Sequence, residues 1–221
     1  MYQTISMSDE VENKLNGVQV FAVKLDLEPI DNEKLDLKAD WKVLHEKWKG
    51  KSKSEVAQTE RIMAYQDFYQ QLGLNTKKTP PSVQNLIQRF LIKEELARIP
   101  EIHPIVDAVN IAAVKHLIPL GVFDAAQVEG DIRLTLSKGG ERFQPIGSQN
   151  PEELASNMLV LTDDEKVLSL FCYRDSEKQK ITEKTRSIWI LGCQVPGVSA
   201  EVIFHALDAS QSYLSQTFHL K

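Results

Sequence analysis

The order in which the hydrophobic periods change along the chain constrains its fold most. From about residue 54 to 117 apolar residues recur at three- and four-residue spacing; from about 132 to 195 they alternate or run in short blocks. Ile62, Tyr65, Phe68, Tyr69 and Leu72 make one helical face, closed by Gly73. Val83, Leu86, Ile87, Phe90 and Leu91 make a second, with Ser82 placed as its N-cap. Val106, Val109, Ala113, Val114 and Leu117 make a third over 104–117, ended by Pro119. Ile132, Leu134 and Leu136 then alternate with Arg133 and Thr135, which predicts a strand with one wet face. Residues 158–161, 167–173 and 187–195 predict further strands; Pro196-Gly197 turns the chain, and Ser199 caps a last helix with Ile203, Ala206, Leu207 and Leu214. Upstream, Phe21, Val23, Leu25 and Leu27 alternate as a strand over 18–27. Asp40 is placed to cap a short helix carrying Trp41, Leu44 and Trp48, broken by Lys49-Gly50-Lys51-Ser52. Helices, then strands, then one helix predict an α+β chain, with helices packed on a mostly antiparallel sheet.

The 221 residues suit one domain over 1–221, with a strand and helical segment over 15–72 beside a core over 73–215. There is no apolar run of about 18 residues and hence no transmembrane helix. The N-terminus has neither the basic nor the apolar region of a signal peptide, so a cytoplasmic protein without a membrane partner is expected. Cys172 and Cys193, the two cysteines, make neither a disulfide framework nor a zinc site, and read as small buried hydrophobes. No metal and no cofactor are expected. The net charge of −5 supplies no global field for nucleic acid. No DNA partner is expected, and RNA would be held weakly, through a local patch. The patches on offer are Lys47, Lys49, Lys51 and Lys53, or Lys77, Lys78 and Arg89.

Several short stretches keep a common register: Gly73, Asn75, Lys77, Lys78 and Ser82; Pro-Ile-Val-Asp at 104–107 with Asn110; Pro119 with Asp124; and Glu129-Gly130-Asp131. Asp163-Asp164 with Val167 and Leu168, Arg174-Asp175-Ser176, and Ile181, Thr182 and Thr185 continue the series. In that order they resemble the B-three/B-four module of the phenylalanyl-tRNA synthetase beta subunit, and more closely the free-standing proteins built on that module. The resemblance implies a B-three/B-four-like fold and hydrolysis of mischarged aminoacyl-tRNA. Three departures stand out against the synthetase modules. Gly121 replaces a His, Phe171-Cys172 replaces a Gly-Gly pair lining the editing pocket, and Lys184 replaces a Glu. The pocket that admits tyrosine is therefore not reproduced.

An aminoacyl ester is already activated, so its hydrolysis needs a held amino acid and one oriented water rather than a nucleophilic serine. The chain has no Gly-x-Ser-x-Gly and no metal-ligand spacing. The resemblance therefore puts the chemistry on Asn110, Asp175 and Ser176. Arg174, Gly121, Glu129, Lys77 and Lys78 would bind substrate, a weakly and transiently held mischarged tRNA. Some free-standing relatives edit tRNA charged with an arginine analogue, and an acidic pocket suits such a side chain. Arg174 and Asp175 can instead pair with each other, and Asn110 can be a structural residue of its helix. The alternative function is a noncatalytic RNA- or amino-acid-binding module on the same fold. Convergence of Asn110, Arg174, Asp175 and Ser176 on one cavity would favour the enzyme; a cavity sealed by Phe171 would favour the interaction role.

Overall fold

The computed structural model describes residues 1–30, 36–96 and 101–221. The chain opens with two short strands, β1 (Gln3–Thr4) and β2 (Ser6–Met7), a short helix α1 (Asp9–Lys14) and the long strand β3 (Gln19–Pro29). Four helices follow: α2 (Lys38–Trp48), α3 (Lys53–Ala57), α4 (Glu60–Gln71) and α5 (Ser82–Leu86), the last running on into a π-type turn over Ile87–Leu91. Then come α6 (Pro104–His116) and β4 (Leu120–Asp124). The strand block is β5 (Arg133–Leu136), β6 (Arg142–Phe143), β7 (Glu152–Glu153), β8 (Leu159–Thr162), β9 (Val167–Leu170), β10 (Arg174–Asp175) and β11 (Ser187–Gln194). The helix α7 (Ala200–Leu214) and the strand β12 (Phe218–Leu220) close the chain. This is the expected α+β architecture.

Two sheets carry it. The first runs β1-β3-β11-β4, with β12 also on β3; the second runs β10-β9-β8-β5-β2. Every pair is antiparallel except β2 with β5. A separate hairpin joins β6 to β7. α6 and α7 pack on each other, and α7 also lies on β11 and β3. One apolar cluster runs from Ile5 and Val20 through Trp41, Tyr65 and Ile111 to Ile190 and Leu214. A smaller cluster of Phe143, Leu154, Val160, Val167 and Leu170 fills the space beneath the β6–β7 hairpin.

Local chemistry explains most boundaries and corrects some. Ser52 and Glu55 form a reciprocal capping box that starts α3, so the expected helix over 54–72 is two helices with a break before Glu60. Gly73, at φ +77°, takes the left-handed conformation that ends α4. Asp40 is not the N-cap of α2: Leu37 holds that position, while Asp40 lies in the first turn and accepts a hydrogen bond from the Tyr213 hydroxyl at 2.9 Å. A carboxylate there still suits the positive end of the helix. Pro81, not Ser82, occupies the N-cap position of α5, and Ser199 stands at that of α7 without a side-chain bond. His103 caps α6 by accepting a hydrogen bond at Nδ1 from the Ile105 amide at 3.2 Å.

Candidate active-site cavity

The β9–β10 hairpin builds the site. Leu170 pairs with Arg174 and Ser169 with Asp175, which leaves Phe171, Cys172 and Tyr173 as a three-residue loop. Phe171 sits at φ +49°, where a Cβ costs about 1–2 kcal/mol and glycine costs nothing. Its side chain is 1% exposed, with its ring centroid 5.4 Å from that of Phe68 on α4. The Ser169 hydroxyl holds the loop by donating to the carbonyls of Phe171 and Arg174. The Tyr69 hydroxyl donates to the Cys172 carbonyl at 3.1 Å and lies 3.2 Å from its Sγ. This loop holds Phe171-Cys172, read in the sequence as a departure from a Gly-Gly pair; the phenylalanine fills the core and keeps a glycine-like backbone.

Side chains alternate along β10, so Arg174 and Asp175 face opposite ways. Arg174 is exposed and reaches Glu152 on β7 at 2.8 Å. The two residues therefore do not pair with each other. Asp175 turns inward and lines a cavity of about 60 Å³ with Gly121 and Phe123 of β4, Phe171, Cys172 and Tyr173. Leu191 and Cys193 of β11 and Leu161 of β8 close its floor. That volume holds about two waters. Burial pushes the Asp175 carboxyl up from 3.8 to about 6, with the nearby Ser169 hydroxyl acting the other way. No cation among the described residues faces it. The Cys193 thiol, hydrogen-bonded to Cys172 and buried, is pushed well above its usual range and is no nucleophile. No cluster of three or more His, Cys, Asp or Glu side chains suited to a metal occurs among the described residues.

Of the residues expected at the site, Gly121 and Asp175 meet in this cavity. A Cβ built on Gly121 would lie 3.5 Å from the Phe123 ring and 3.9 Å from Asp175 Oδ1, so Gly121 leaves open space between β4 and the carboxylate. The other expected residues do not line the cavity. Ser176 is 2% exposed, and its hydroxyl accepts from the Lys178 amide at 3.3 Å, capping a turn of 3₁₀-helix. Asn110 is half-buried on α6 and makes no side-chain hydrogen bond among the described residues. Glu129 is exposed, and its backbone, not its carboxylate, is engaged. Lys77 and Lys78 are exposed on a loop whose Asn75 side chain accepts from both of their amides. The expected four-residue convergence thus reduces to one carboxylate, because strand alternation turns Arg174 away and a local cap engages Ser176.

Ser82, another register residue, also lines the cavity, and several of the others meet one another. The Glu129 amide donates to Asp163 Oδ2 at 2.9 Å, and the Asp164 amide donates to the Glu129 carbonyl at 2.9 Å. A Cβ on Gly130 would fall 1.9 Å from Asp164 Oδ2, so any other residue would displace the Asp164 carboxylate as well as strain the backbone at φ +72°. Asp131 and Asp164 both flank Arg133. Burial raises the Asp163 carboxyl, but the amides of Glu129, Glu165 and Lys166 and the Lys166 ammonium hold it below its ordinary value. Likewise the Thr185 hydroxyl donates to buried Asp124 at 2.7 Å, tying the loop before β11 to the end of β4. The Asp107 carboxylate accepts from the Ile102 amide at 3.1 Å. The wall residues Leu161 and Leu191 carried no signal for the cavity in the sequence, because both read as ordinary members of apolar strands.

Part of the phenylalanine–tRNA ligase beta subunit of Legionella pneumophila is 28% identical over 89 residues, 40% of this chain and 11% of that subunit. That of Shewanella oneidensis is 32% identical over 104 residues, 46% of this chain and 13% of that subunit. The chain thus matches only a small part of these relatives. An N-terminal fragment of the phenylalanyl-tRNA synthetase beta subunit from Pyrococcus horikoshii aligns at a TM-score of 0.46 with 13% identity, covering 98% of this chain and 49% of that one. The sequence pattern of the B3/4 domain matches residues 64–214, which include α6, both strands of the β9–β10 hairpin and every wall of the Asp175 cavity. By that match the chain belongs to the B3/4 domain family.

Proposed function

We propose that the chain hydrolyses the ester of mischarged aminoacyl-tRNA, with the Asp175 cavity as the subsite for a cationic group of the amino acid. The observation that carries this reading is a half-buried carboxylate without a cation, raised to about 6 by burial, at the end of a small recess. An arriving guanidinium or ammonium head would offset the cost of that buried charge and be held by it. Space for about two waters suits such a head and not an aromatic ring. Once the cationic end is held, the ester carbonyl lies outside the recess, open to water. Water adds to the carbonyl carbon, the bond to the ribose oxygen breaks, and that oxygen takes a proton. Asp175 is a binding residue here, and the rate gain comes from position.

A second reading, a noncatalytic module for RNA or an amino acid, is favoured by the cavity size. Small-molecule sites usually enclose about 300–1,000 Å³, and Phe171 blocks the space that paired glycines would leave. A deacylation screen separates the two. Purified protein is incubated with tRNAs carrying cationic, aromatic and small amino acids, beside a control without protein. The enzyme reading expects faster loss of a cationic aminoacyl ester; spontaneous rates throughout the panel would leave the binding module.

A further inference from the structure

A second group of cations lies apart from the residues that line the Asp175 cavity and apart from Lys77 and Lys78. A groove of about 580 Å³ runs over the outer face of the second sheet, across β5, β8 and β9. Its floor includes Thr135, Val160 and Thr162, and its rim carries Arg133, Lys138, Arg142, Lys166 and Lys178. On β8 the alternation is explicit: Leu161 walls the Asp175 cavity, while Val160 and Thr162 face the groove. Two of the rim cations are already paired, Arg133 with Asp164 at 2.7 Å and Lys166 with Asp163 at 2.6 Å. Lys138, Arg142 and Lys178 have no carboxylate partner among the described residues, and all three are exposed. Three acids also line the groove: Asp163 is paired with Lys166, Glu141 accepts the amides of Lys138 at 2.6 Å and Gly139 at 2.7 Å, and Glu165 is exposed. In a chain of net charge −5 this is a local excess of cations over one open sheet face.

We propose that this groove holds the phosphate backbone of RNA. The floor has no aromatic side chain among the described residues, so it offers no platform for stacking bases. Flexible cations along a rim instead suit phosphates, independently of sequence. The site rests on the deacylase reading only for which RNA it serves, a tRNA. Its position fits that use, because β10 is the edge strand of the second sheet. Lys178 on the groove side and Asp175 on the cavity side lie three residues apart across that edge. A single-stranded 3′ end can pass around β10 from one to the other.

The test is binding of uncharged tRNA, read by fluorescence anisotropy from 25 to 200 mM salt. The charge-reversal variant Lys138→Glu/Arg142→Glu/Lys178→Glu is compared with Lys77→Glu/Lys78→Glu and with Asp175→Asn. The groove variant is expected to bind at least 10-fold more weakly at 50 mM salt. Its plot of log affinity against log salt should be shallower by about 2–3 units, as for three lost phosphate contacts. The loop variant should stay within about 3-fold of wild type. Asp175→Asn should bind as wild type, so a failed hydrolysis assay leaves this proposal standing on its own measurement. Wild-type affinity in the groove variant, with an unchanged circular dichroism spectrum, would overturn it. So would a larger loss in the loop variant, or no tRNA binding by the wild type at 25 mM salt.

Discussion

Asp175 carries the functional argument, and its ionisation has a stability consequence. The folded chain raises its carboxyl from 3.8 to about 6 by burial. Between about pH 4 and 6 the folded state therefore binds more protons than the unfolded state, and stability falls as pH rises through that window. Above it the charged carboxylate is a standing cost. Asp175→Asn should melt a few degrees above wild type at pH 7.5, on the order of 1–2 kcal/mol, and alike at pH 4. A lower melting temperature at pH 7.5 would show instead that the carboxylate has a structural partner. Gly121 gives an independent handle. Its φ is ordinary and a Cβ would meet only van der Waals contacts, so Gly121→Ala should fold within about 0.5 kcal/mol of wild type while narrowing the cavity beside Asp175. Deacylation that is unchanged in this variant would place the substrate elsewhere. Asp175 and Gly121 were both singled out in the sequence, but their meeting in one cavity was not foreseen. Nor were the positions taken by Ser176 and Arg174, because the family register cannot tell which neighbour points inward when the strand is two residues long.

At the scale of elements, the register residues divide into a site and its supports. Glu129, Gly130 and Asp131 fasten β5 to the turn after β8 through Asp163 and Asp164. Gly130→Ala combines a left-handed backbone at φ +72° with a Cβ 1.9 Å from Asp164 Oδ2. Thermal unfolding should show a loss of about 2–4 kcal/mol, the sum of backbone strain and a displaced carboxylate. A melting point within 2 °C of wild type would mean that the turn rearranges freely. Most longer elements were legible from period alone: β3, α6, β11 and α7 lie close to the expected spans, while the span expected as one helix holds both α3 and α4. The short strands were not. β1, β2, β7 and β10 are two residues each, too short for a period to show, and β4 breaks its own pattern with Gly121. The parallel pairing of β2 with β5 joins residues far apart in sequence, which no local signal reports.

At the scale of the molecule, one apolar cluster includes residues of the N-terminal strands, the helices over 38–91, α6, β11 and α7. Trp41 and Trp48 of α2 belong to it, as do Val20 of β3 and Ile203 of α7. The segment over 15–72 and the core over 73–215 should therefore unfold together. Tryptophan fluorescence and far-ultraviolet circular dichroism should trace one coincident denaturant transition. Two separated transitions, or two stable halves after protease cuts the Lys49–Ser54 stretch, would make them separate domains. The α+β order was legible in the sequence because it depends on long periodic segments. The inward seating of the Phe171 ring was not, because it depends on Phe68 arriving from another helix.

The central claim is that Asp175 holds a cationic group of an aminoacyl ester. Its most direct test compares arginyl-tRNA with citrullyl-tRNA, whose ureido head has nearly the same shape without the charge. Single-turnover deacylation of both is measured with wild type and with Asp175→Asn, each against spontaneous hydrolysis. The account predicts that wild type hydrolyses the arginyl ester at least 10-fold faster than the citrullyl ester, about 1.4 kcal/mol or more. It also predicts that Asp175→Asn erases the difference. Equal rates for the two esters in the wild type, or the same preference in Asp175→Asn, would contradict it.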